Sequence, residues 1–124
     1  MGELLSLDDY SLSARPELAN RPGQQRHVFF NRHELNLILN LYGDMVSKGE
    51  WRDYAIGHDQ DCCSFEVFRR TADGALYRIT KRPRLANKAG AYAVVAFGGR
   101  VLRRGRDLAT VLRVFDKKRL RSVG

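Results

Sequence analysis

Residues 62–104 read CCSFEVFRRTADGALYRITKRPRLANKAGAYAVVAFGGRVLRR, and this stretch decides the fold. Two strand-like runs, Cys62 to Arg70 and Ala75 to Lys81, flank Thr71-Ala72-Asp73-Gly74, a turn with glycine where a positive φ is often needed. Two further runs, Ala91 to Phe97 and Arg100 to Arg104, flank Gly98-Gly99, a two-residue hairpin signal. The basic loop from Arg82-Pro83-Arg84 to Gly90 separates the hairpins, and Pro83 ends the strand before it. Hairpins imply antiparallel pairing rather than a βαβ sheet.

Upstream, Trp51 to Ile56 is a fifth extended run, closed by Gly57-His58-Asp59. Before it stands a helix start. Asn31 can cap, Glu34 is its capping-box partner, and Phe30 with Leu35 occupies the two positions of a hydrophobic staple. Leu35, Ile38, Leu39, Tyr42, Met45 and Val46 recur at spacings of 3 and 4, and Gly49 is a plausible stop. Downstream, Asp107 begins a second helix with Leu108, Val111, Leu112 and Phe115 as its apolar stripe, followed by a basic end. The fold class expected is α+β: an antiparallel sheet of about five strands built from hairpins, with an N-terminal and a C-terminal helix packed on it. Residues 1–25, rich in Ser, Pro, Gly and Gln, are expected to form a flexible tail ahead of a single domain over 26–124.

At 44% hydrophobic and 29% charged residues, the composition is that of a globular protein. The charge is divided unevenly. Residues 1–68 hold 6 Lys or Arg against 11 Asp or Glu, a net −5, while residues 69–124 hold 16 against 3, a net +13. Such a split points to an electropositive surface and an anionic partner. The two cysteines, Cys62 and Cys63, are adjacent and unsuited to a disulfide framework, which fits a reducing cytoplasm. The first residues lack the basic start and unbroken apolar core of a signal peptide. Met1-Gly2 with Ser6 matches the letters of an acylation pattern and is read as chance. The longest charge-free apolar stretch, Ala89 to Gly99, is too short to span a bilayer.

Several separated blocks resemble a known family. They are Gly49-Glu50-Trp51-Arg52-Asp53-Tyr54-Ala55-Ile56, Phe68-Arg69-Arg70, Leu76-Tyr77-Arg78-Ile79, Gly90-Ala91-Tyr92 through Gly98-Gly99, and Asp107-Leu108 with Val111-Leu112-Arg113-Val114. In this order they are similar to a family of small alphaproteobacterial proteins known only as a domain of unknown function, over roughly residues 27–121. The resemblance implies a bacterial cytoplasmic protein and carries no activity, cofactor or catalytic residue.

The residues themselves nominate an interface for a polyanion, RNA or DNA. Arg69, Arg70, Arg78, Lys81, Arg82, Arg84, Lys88, Arg100, Arg103, Arg104 and Arg106 fall on or beside the expected sheet. Guanidinium groups pair with phosphates and stack on bases. Tyr77, Tyr92 and Phe97 lie among them as stacking platforms, against the simpler reading of core aromatics. Alternation sets Arg78 on the face opposite Tyr77 and Ile79. The same charge split also suits an acidic protein or a second copy of the chain. No recognised RNA-binding signature is present.

Other chemistry is weaker. Arg103 to Arg106 precede the second helix, but Asp107 fills its free amides as a cap. His58, Asp59, Asp61, Cys62 and Cys63 crowd one loop without the second ligand pair of a zinc site. Glu50, Asp53 and Glu66 have no spacing that would pair them with His58 for acid–base work. Trp51 reads as a core anchor. No catalytic residue, metal or cofactor is expected, and the protein is read as a non-enzyme.

Overall fold

A computed structural model describes residues 27–120. The tail assigned to residues 1–25, the acylation letters and residues 121–124 lie outside these.

The first helix, α1, runs Arg32–Ser47. Its start is locally determined. Asn31 Oδ1 accepts from Glu34 N at 2.8 Å, and Asn31 N donates to Glu34 Oε1 at 2.7 Å, closing the capping box. Phe30 and Leu35, the staple residues, are both buried. Asn31→Ala removes one arm of the box and is expected to lower stability by about 1 kcal/mol in urea denaturation.

Five strands follow: β1 Asp53–His58, β2 Cys63–Phe68, β3 Tyr77–Lys81, β4 Tyr92–Ala96 and β5 Val101–Gly105. They form one antiparallel sheet in the order β1-β2-β3-β4-β5, so each strand lies beside its neighbour in sequence. The chain then enters α2, Leu108–Leu112, passes through a tight turn at Arg113–Phe115, and ends the described region in α3, Asp116–Leu120. Asp107 caps α2 by accepting from Thr110 N. The expected α+β class and the two terminal helical segments are present.

Alternation sorts the sheet into two faces. The buried face carries Ile56, Phe65, Val67, Ile79 and Val94, joined in the core by Ile38, Leu41 and Met45 of α1 and by Leu108, Val111 and Phe115. Trp51 anchors this core, edge-on to Phe115 with ring centroids 5.2 Å apart. The other face has no described helix over it and carries Ser64, Glu66, Arg78, Thr80, Ala93, Val95 and Arg104, of which Thr80 and Ala93 are buried.

The boundaries differ from the sequence reading in informative ways. Trp51 N and Glu50 N bond back to Met45 O and finish the helix, so β1 starts later than expected. It also continues through Gly57 and His58, which pair with Ser64 and Cys63. The reversal is made instead by Asp59, whose Oδ1 accepts from Asp61 N and Cys62 N, both at 2.8 Å. In the second hairpin Gly98 and Gly99 take φ values of 87° and 88°, which side chains resist. Gly99 N bonds to Ala96 O, so the turn begins one residue early and Phe97 leaves the strand for the loop. Opposite Val94 and Val95, β5 carries an irregularity that inserts Leu102.

Candidate functional site

A meander keeps chain order as spatial order. The outer strands therefore inherit the opposite charges of the two halves of the sequence. Residues 50–61, around β1, hold four acidic residues and one basic residue, a net −3. Residues 100–107, around β5, hold four basic residues and one acidic residue, a net +3. Arg100, Arg103 and Arg106 are exposed, and Arg104 is half-buried. None of the four has a carboxylate partner among the described residues. An extended rise of about 3.3 Å per residue spreads them over about 20 Å of open sheet edge.

Arg104 is the most unusual of the row. Its register opposite Ala93 puts it on the face that no described helix covers. Its Nη1 is buried and lacks a hydrogen-bond partner among the described residues. Buried guanidinium nitrogens are normally satisfied, so this one has unused donor capacity beside the edge.

The rest of the eleven nominated cations separate into groups. Arg82 and Lys88 are exposed on the β3–β4 connection, which meets the end of β5 where Gly90 abuts Gly105. Arg69 and Arg70 are exposed on the β2–β3 connection, at the end of the sheet that also carries Phe97. Three of the eleven are engaged with carboxylates from the first half of the chain. Arg78 pairs with Glu66 directly across β2 and β3 at 3.1 Å, and Arg84 pairs with Asp61 at 3.4 Å. Lys81 is drawn inside.

Lys81 follows Tyr77 and Ile79 on the buried face. Its Nζ donates to Glu34 Oε1 at 2.7 Å and to Phe29 O at 2.8 Å. Tyr92 OH donates to the other carboxylate oxygen of Glu34. Burial pushes the Glu34 carboxyl up, but hydrogen bonds from Lys81, Tyr92 and the Asn31 amide outweigh it and hold it below its ordinary value. Burial, then the bond to Glu34, pushes the Tyr92 phenol up. This clasp ties α1 to the sheet and takes Lys81 and Tyr92 out of any surface role. Sequence alternation was the signal that could have found the inward-facing Lys81, though not its partner.

Of the three aromatics considered as platforms, Tyr77 packs between Trp51 and Phe115 under Lys118. Phe97 alone of the three is well exposed, at 71%. Beside it lies an open recess of about 240 Å³, lined by Glu66, Tyr77, Arg78, Val95 and Gly98 among others.

The remaining candidates have structural surroundings. His27 Nδ1 and His58 Nδ1 share a hydrogen bond at 2.8 Å beside Phe29. Cys62 and Cys63 are free thiols, and burial pushes both up, away from thiolate character. Glu66 is held by Arg78 rather than by His58. Among the described residues no group of three or more His, Cys, Asp or Glu is arranged to hold a metal ion, and no helix is long and apolar enough to cross a membrane.

A family model described as "Protein of unknown function (DUF2794)" matches residues 28–112. The chain belongs to this family. The DUF2794 match takes in α1, the whole sheet and α2, so the arginine row, Phe97 and the Glu34–Lys81 clasp all fall inside it. No curated protein and no solved structure matches the chain.

Proposed function

We propose that this DUF2794 protein is a non-catalytic cytoplasmic module that binds nucleic acid along the β5 edge. The observation that carries the reading is the row of Arg100, Arg103, Arg104 and Arg106 on and beside an outer strand, with no carboxylate partner among the described residues. Arg104 adds a buried donor awaiting an acceptor, and Lys88 and Arg82 extend the positive field onto the adjoining loop. Arginines in an extended strand are spaced for a run of phosphates, whose neutralisation releases condensed counterions. Two unpaired thiols, Cys63 buried and Cys62 half-buried, fit a cytoplasmic setting.

The test is a salt titration followed by fluorescence anisotropy, using a labelled oligonucleotide and the full chain. The logarithm of the affinity should fall linearly with the logarithm of salt concentration. Replacing Arg100, Arg103 and Arg106 together by Ala removes three exposed charges and should reduce the steepness by about 2 for a single strand, at about 0.7 per phosphate. A wild-type affinity insensitive to salt overturns the reading.

A second reading rests on the opposite charges of the two outer strands. The β5 edge of one copy complements the β1 edge of another, a head-to-tail contact. Sedimentation velocity at low and high salt separates the two readings. Self-association that dissolves with salt, in protein that ignores oligonucleotides, favours the second.

A further inference from the structure

The arginine row explains attraction to any polyanion. Phe97 and the recess beside it go further. Phe97 sits at the tip of the β4–β5 hairpin, at the end of the row where Arg100 stands, and most of its ring meets solvent. Its backbone is anchored, because its amide donates to Leu76 O at 3.0 Å. Large apolar side chains exposed to this degree often mark interaction sites. The ring offers a flat face of the kind on which bases stack.

The recess has matching chemistry. Its volume of about 240 Å³ is below the roughly 300 Å³ at which drug-sized pockets begin, so it suits one flat ring system. Val95 supplies apolar wall. Arg78 Nε and Nη2 both donate to Glu66 Oε2, at 3.3 and 3.1 Å. That leaves Glu66 Oε1 as an acceptor and Arg78 Nη1 as a donor on the same ion pair, both without partners among the described residues. An unpaired nucleobase edge carries adjacent donors and acceptors too. No Cβ-sized atom would meet anything within 4 Å at Gly98 or Gly99, so the approach past the hairpin is open. Arg69, Arg70 and Arg100 are exposed at the same end for the flanking phosphates.

We infer that an extruded nucleobase stacks on Phe97 over the Glu66–Arg78 pair, so that single-stranded rather than duplex nucleic acid is the ligand. The inference rests on the nucleic-acid reading above and narrows it. A duplex keeps its base faces stacked inside and presents only phosphates and groove edges. It would engage the arginines but leave Phe97 idle. A single strand can use both features at once.

The experiment measures anisotropy of a labelled oligothymidylate of about twelve nucleotides and of a hairpin duplex of similar length, with the full-length wild type, Phe97→Ala and Phe97→Trp. The wild type should prefer the single strand at least tenfold. Phe97→Ala should weaken single-strand binding about tenfold, leave duplex binding and the salt slope unchanged, and Phe97→Trp should restore the affinity. Phe97 is exposed, so its replacement should leave the circular dichroism melt in place. If Phe97→Ala weakens both forms equally, or neither, the nucleobase site is wrong while the arginine edge survives. If wild type binds neither oligonucleotide in a salt-dependent way, both readings fall. Binding of poly-glutamate that depends on Phe97 would then mark an acidic protein as the ligand and overturn the inference.

Discussion

Gly90→Ala is expected to destabilise the protein by about 4 kcal/mol, or to prevent folding. Two independent effects add. Gly90 has φ of 103°, a conformation that side chains resist. A Cβ there would also stand 2.3 Å from the Gly105 carbonyl carbon and 2.4 Å from its oxygen. These are backbone atoms of the edge strand and cannot rotate away. Relief requires parting β4 from β5 at Tyr92 and Gly105, which are register partners. The loop cannot yield instead, because Gly90 N is bonded to Leu85 O at 2.8 Å. A thermal melt should fall by about 15 °C or more for a domain of this size. Gly43→Ala is the control. Gly43 lies inside α1 with nothing within 4 Å of a new Cβ, and alanine there should stabilise by about 0.5–1 kcal/mol. A loss below about 1 kcal/mol at Gly90 would show that the two backbones need not touch.

Lys81→Met should cost about 3 kcal/mol at neutral pH. The side chains of Lys81 and Glu34 are only 17% and 6% exposed. Methionine keeps the apolar stem but leaves the Glu34 carboxylate buried without its cation and removes the Lys81 hydrogen bond to Phe29 O. The pH dependence has a definite sign. In the wild type the Glu34 carboxyl lies below its ordinary value of 4.5, so its contribution is present above that value and is lost as pH falls through the lower, folded one. In the variant burial is no longer opposed by Lys81, and protonation of Glu34 becomes easier. The deficit of the variant should therefore shrink from neutral pH toward acid. Urea denaturation at about pH 7 and pH 4 reads this directly, and Glu34→Gln in the Lys81→Met background should recover part of the loss. A deficit that stays the same at both pH values would mean that Lys81 acts through packing alone.

The legible parts of the fold were local ones. The Asn31–Glu34 box, the Phe30–Leu35 staple and the Asp107 cap lie within a few residues of one another and appear as read. The two hairpins were legible for the same reason, since short turns force adjacent strands together. Boundaries near Trp51 and Phe97 moved because a neighbouring element claimed the backbone: the end of α1 took Trp51, and the turn took Phe97. Ion pairing was the least legible. A charge count cannot see that Arg78 stands opposite Glu66 across the sheet, or that Arg84 meets Asp61. Lys81 could have been recognised, because alternation from Tyr77 and Ile79 aims it at the helix. Its partner, 47 residues away, could not. The candidate site emerged only when the strand order put Arg100 to Arg106 on an outer edge rather than in the middle of the sheet.

That strand order also sets opposite local charges on the two outer edges of the sheet, negative around β1 and positive around β5. In the field of a polyanion such a body feels a torque before it feels a contact, within a Debye length of about 8 Å at physiological ionic strength. If the proposed reading holds, such a torque turns β5 forward during the approach. The arrival rate should then depend on the distant carboxylates of β1 as well as on the arginines of β5.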